Sequence, residues 1–101
     1  MDGKNFYVYE LYAIYGVLLT EKQSSAIEDY FGLDLSLGEI AEMRGVSRQA
    51  IKCTLDLTEK QLFSYEEKLG LYKKLTEIKE IDTSENGEKV LKRVLSILED
   101  R

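Results

Sequence analysis

Apolar residues recur at helical spacing along nearly the whole chain, and no alternating stretch bounded by turn residues predicts a strand. Residues 4 to 19 are apolar on nearly every face, which predicts a helix buried in its own core or against a partner. Its tyrosines Tyr7, Tyr9, Tyr12 and Tyr15 suit either setting, since each has a large apolar body and a polar tip. Thr20 to Gln23 spells a capping box, in which a hydroxyl and an amide side chain satisfy reciprocal backbone donors. The helix it opens carries the stripe Ala26, Ile27, Tyr30 and Phe31 and stops at Gly32, followed by a short connection over Leu33, Asp34 and Leu35.

Ser36 to Glu39 is a second capping box, and Leu37, Ile40 and Ala41 form the inward face of the helix it starts. Gly45 stands where a helix end needs positive φ, and Ser47 caps a new helix two residues later. Two helices joined by so tight a turn predict a helix-turn-helix. From Arg48 nothing breaks the helix until Gly70, and Ile51, Leu55, Thr58, Leu62, Tyr65 and Leu69 make a seam for the domain body and, farther on, another helix. Thr58 to Gln61 also spells a box, but no loop residue precedes it, so one continuous helix is expected. Leu71, Leu75 and Ile78 predict a short helix, 82–87 a loop, and 88–100 an amphipathic helix with Val90, Leu91, Val94, Leu95, Ile97 and Leu98 inward. The fold class is therefore all-α: a helical bundle of five or six helices with a long recognition helix. Residues 1–80 are expected to form the helix-turn-helix domain, and 81–101 a loop and helix packing on that domain or on a dimer partner.

Composition narrows the chemistry. The 101 residues include no proline, no histidine and one cysteine. Without histidine there is no Ser-His-Asp or Cys-His set, and with one cysteine no zinc site or internal disulfide, so no catalytic residue and no cofactor is assigned. Phe6 to Leu19 is too short to span a bilayer, Glu10 interrupts it, and no small-residue cleavage site follows. A cytoplasmic protein without membrane contact is expected. Fourteen basic and nineteen acidic side chains give a net charge of −5, against the basic balance of most nucleic-acid binders.

The functional signal lies in LSLGEIAEMRGVSRQAIKCTL, from Leu35 to Leu55. Ala41 is small enough for close helix approach, Gly45 makes the turn, Val46 is expected to plug it from the core side, and Ile40 and Ile51 to pack the two helices together. Ser47 caps a helix whose exposed face carries Arg48, Gln49, Lys52, Cys53 and Asp56. Arg48 or Lys52 can donate to guanine O6 and N7, Gln49 can pair with adenine, and Ser47 with the free N–H groups of the capped helix end can hold a phosphate. The plainer reading is a helical hairpin with a solvated polar face. Cys53 is a candidate redox switch, but a lone surface thiol with only Lys52 to activate it is more simply incidental. The acid pairs Glu66-Glu67 and Glu99-Asp100 read as solvated surface.

The run SLGEIAEMRGVSRQAI, preceded by LLTEKQ and followed by EKLGL, closely resembles the YlxM family of bacterial helix-turn-helix proteins over about Leu18 to Leu75. That family is similar to the part of bacterial sigma factors that reads the −35 promoter element. The resemblance implies a tri-helical DNA-binding core and a homodimer, with base-reading positions at Arg48, Gln49, Lys52 and Cys53. Gln49 stands where the sigma pattern has an acid, and Cys53 where it has an amide. The resemblance also implies a link to protein targeting, because family members are commonly encoded beside signal recognition particle genes. Two functions follow: a dimeric DNA-binding regulator, or a module contacting protein or RNA components of that particle. Between Leu35 and Phe63, Arg44, Arg48, Lys52 and Lys60 are balanced by Glu39, Glu42, Asp56 and Glu59, so a monomer is expected to bind DNA weakly.

Overall fold

A computed structural model describes residues 4–81, 84 and 86–99. Six α-helices follow one another: α1 (Phe6–Tyr15), α2 (Glu21–Ile27), α3 (Leu37–Arg44), α4 (Arg48–Leu69), α5 (Leu71–Lys79) and α6 (Gly87–Glu99). No strand occurs among the described residues, and the fold is all-α.

The helix ends sit where the local chemistry calls for them. Both capping boxes form, at Thr20 with Gln23 and at Ser36 with Glu39. Gly45 and Gly70 adopt φ of 68° and 62° and terminate α3 and α4. At these values a Cβ is costly, which is why glycine stands there. Helix α4 runs unbroken for 22 residues, as the missing breakers require. The Thr58 to Gln61 box does not act as one. The buried Thr58 hydroxyl donates to the Thr54 carbonyl at 2.7 Å, and the Gln61 amide oxygen accepts from Gln23 Nε2 at 2.9 Å.

The core is drawn from α1 to α4: Val8, Leu11 and Tyr15; Ala26 and Ile27, with Phe31 just beyond; Ile40 and Ala41; Ile51, Leu55 and Leu62. Tyr7, Tyr9 and Tyr12 lie partly buried against the same cluster, so the tyrosines of α1 pack within their own chain. The helix expected over residues 4 to 19 ends at Tyr15 and passes into a 3₁₀ turn at Gly16–Leu18, leaving Val17 exposed.

The second helix also changes pitch. Beyond Ile27 it widens into a π turn over Glu28–Gly32, closed by Leu33 N–H donating to the Glu28 carbonyl at 2.9 Å. Lys4 holds this turn. Its amine, on a side chain only 3% exposed, donates to the carbonyls of Tyr30 and Leu35 and to Asp34 Oδ1, and sits 4.1 Å from the Tyr30 ring centroid. Those contacts secure Asp34 at φ 55°, a left-handed conformation unusual for a residue with a Cβ.

At the far end, Glu66 is a structural group and not solvated surface. Its Oε1 accepts from the Tyr15 hydroxyl at 2.6 Å and from Tyr72 N–H at 2.9 Å, while Oε2 accepts from Lys73 N–H at 3.2 Å. A carboxylate of α4 thus caps the exposed N–H groups of α5, which has no side-chain cap of its own. The seam on α4 is buried only as far as Leu62; Tyr65 is half-buried and Leu69 exposed. Helix α6 packs on α5 and contains no buried residue. The molecule is accordingly elongated, 56 × 25 × 21 Å. Of the expected loop at 82–87, residues 82, 83 and 85 lie outside the described residues, as does Asp100, and Gly87 opens α6.

Candidate nucleic-acid interface

Helices α3 and α4 pack on each other, with Ile40 and Ile51 buried in the shared core and the small Ala41 at 5% exposure. The turn between them needs the left-handed Gly45, whose N–H donates to the Glu42 carbonyl while Val46 N–H reaches back to the Ala41 carbonyl. Val46 itself departs from expectation. It is 47% exposed, at the edge of a groove that Ala26 and Ala50 also line, and does not close the turn from the core side.

Ser47 caps α4 by accepting from Ala50 N–H at 3.0 Å, which leaves the remaining first-turn donors facing outward. Arg48, Gln49, Lys52 and Cys53 all lie exposed beyond it, Gln49 and Cys53 opposite the buried Ile51 and Arg48 on the flank towards α3. The predicted face is therefore assembled, and its side chains are already engaged. A Cβ added at Gly38 would lie 2.9 Å from both Nε and Nη2 of Arg48, so the guanidinium rests across the first turn of α3. Gln49 Nε2 approaches Cys53 Sγ at 3.6 Å. Lys52 Nζ pairs with Asp56 Oδ2 at 3.0 Å, and that hydrogen bond raises the lysine pKa. Lys52 is therefore charged at neutral pH but locally neutralised.

Charge is unevenly spread. Residues 1–47 carry three basic and eight acidic side chains, whereas 48–101 carry eleven of each. The whole surplus of −5 belongs to the half that precedes α4. Among the described residues no group of three or more His, Cys, Asp or Glu could hold a metal ion, and no helix is long and apolar enough to cross a membrane.

A capped helix, a glycine turn and a second, longer helix with an exposed polar face define a helix-turn-helix protein. Residues 3–99 match the family described as "Putative helix-turn-helix protein, YlxM / p13 like", and the chain belongs to that family. A UPF0122 protein of Thermoanaerobacter sp. is 38% identical over 107 aligned positions, covering 99% of this chain and 92% of the relative. One from Fusobacterium nucleatum is 44% identical over 92 residues, covering 84% of this chain and 89% of its own. Another, from Desulforamulus reducens, is 57% identical over 63 residues, covering 62% of this chain; the match spans about half of the relative, 54% of its length.

Proposed function

We propose that this protein is a cytoplasmic DNA-binding regulator that acts as a homodimer and reads the major groove with α4. The observation that carries this is the exposed face of α4, where Ser47, Arg48, Gln49, Lys52 and Cys53 share one side of a helix capped directly after a glycine turn. In a docked helix-turn-helix the first helix crosses the phosphate backbone while the second enters the groove. Arg48, resting on the first turn of α3, is thus suited to a phosphate, as are the first-turn N–H groups beside Ser47. Gln49 and Lys52 have the donor geometry for adenine and guanine edges, and Cys53 offers an apolar contact.

The dimer is supported by what α6 leaves uncovered. Leu91, Leu95 and Leu98 are 57%, 45% and 50% exposed on a 13-residue helix. A helix that short is marginal without tertiary packing, so a second copy covering its apolar face is the natural completion. In this reading residues 1–80 are the DNA-binding domain and 81–101 serve assembly. Two copies double the phosphate contacts and place two α4 faces about 34 Å apart, one helical turn of DNA. Gel shifts on the duplex upstream of its own gene test this, with a shift expected at about 50 mM salt and lost by about 200 mM. No shift at the lower salt would sink the proposal.

One observation favours a second reading. The surplus of −5 falls in residues 1–47, which include the first helix of the motif, and such charge repels phosphate and suits a basic protein surface. That reading makes the chain an interaction module for signal recognition particle components, and pull-down of the targeting GTPase or its RNA by a protein that shifts no DNA would establish it.

A further inference from the structure

A mainly apolar groove opens beside the exposed Val46. It has a volume of about 280 Å³ and lies between α2, the turn and the start of α4. Its floor is Ile51 and Ala26, only 5% and 2% exposed, and its walls are Val46 and Ala50. An apolar cavity of about 150 Å³ takes one benzene, so the space here suits a single aromatic ring with a short chain or a bicyclic body.

The rim carries two cations, but Arg44 is already paired with Asp29, so Lys22 supplies the uncompensated charge. Lys22 and Arg44 both line the groove, with the Thr54 hydroxyl on the α4 side. The Lys22 side-chain amine makes no hydrogen bond or ion pair with the described residues. Arg44 is anchored to Ser25 and Asp29 through one nitrogen, Nη2, so the other N–H donors of its fork remain available. An apolar cleft with two cations at its edge is complementary to a small molecule with an apolar body and one carboxylate.

We infer that this groove is a binding site for a small aromatic carboxylic acid, with the ring on Ile51 and Ala26 and the carboxylate between Lys22 and Arg44. A ligand there touches Ala50 and Thr54 on the recognition helix and Val46 in the turn, the segment that sets the angle of α4. The site does not depend on the DNA reading, because binding is measured on the protein alone.

Titration of the ¹⁵N-labelled protein with indole-3-acetate and phenylacetate tests it, with phenylacetamide as the uncharged control. Saturable shifts confined to Ala26, Val46, Ala50, Ile51 and Thr54 are expected at millimolar concentrations. Lys22→Glu is expected to weaken the acids about tenfold and leave the amide unchanged. Ala50→Leu fills the groove from an exposed helix position and is expected to abolish the shifts, and Val46→Phe does the same from the turn should the first variant fold poorly. Acid and amide binding equally well, shifts scattered over the surface, no saturation, or undiminished binding by folded filled variants would each overturn the assignment.

Discussion

The hydroxyl of Tyr15, at the end of α1, donates to Glu66 Oε1 of α4 at 2.6 Å and accepts from Leu71 N–H of α5 at 3.1 Å. One buried phenol thus ties three helices and sets the direction in which α5 and α6 leave the recognition helix. Burial, reinforced by the Glu66 bond, pushes the Tyr15 pKa up to about 12. Since the folded value lies above the ordinary value near 10, its contribution to stability is complete below pH 10 and is lost as pH rises through about 12. Thermal melts between neutral pH and pH 12 are expected to fall steeply in the wild type and less so in Tyr15→Phe. Glu66→Ala, which orphans the α5 donors and the phenol together, is expected to cost about 2 kcal/mol at neutral pH.

Asp56 restrains Lys52. Asp56→Asn removes a negative charge from the reading face and frees the lysine amine, so DNA affinity is expected to rise. The slope of log affinity against log salt should change by less than the roughly 0.9 of a full phosphate contact, because the freed amine goes to a base edge. Anisotropy of a labelled duplex across a salt series measures both. A slope steeper by about 0.9 would place Lys52 on the backbone instead of on a base.

Gly38 is a spacer for Arg48. Alanine there suits the helix and is expected to leave stability unchanged or raise it by up to about 1 kcal/mol, while its Cβ displaces the guanidinium. Binding should weaken without loss of fold, as it would in Arg48→Ala. A Gly38→Ala protein that binds as the wild type does would remove Arg48 from the phosphate contact.

Leu95 stands for the α6 surface. Light scattering is expected to give twice the 11.6 kDa of one chain at micromolar concentration, and Leu95→Glu to return it to one. A stable wild-type monomer would end the dimer and with it the paired half-sites.

The helices and their caps were legible because local chemistry dictates them: Thr20, Ser36 and Ser47 supply acceptors, and Gly45 and Gly70 supply positive φ. The exposed polar face of α4 was legible for the same reason, since burial of Ile51 and Leu55 leaves Arg48, Gln49 and Lys52 outside the core. What escaped is set by contacts distant in sequence. Lys4 reaches about thirty residues ahead to hold the π turn, and nothing in its neighbours signals that. Glu66 looked like surface beside Glu67 because its partners, Tyr15 and the α5 amides, come from beyond its own helix. Val46, 47% exposed, shares its groove with Ala26, twenty residues earlier, a proximity that no local pattern marks.

Cys53, the single cysteine of the chain, lies exposed among the proposed base-reading residues and reports on that face directly. Its rate of alkylation by a maleimide, measured with and without the duplex that the protein shifts, tests whether the α4 face meets DNA. Severalfold slowing on DNA is expected, with equal rates when a non-binding duplex is added. An unchanged rate while the duplex is fully bound would mean that DNA is held elsewhere and that α4 is not the reading helix.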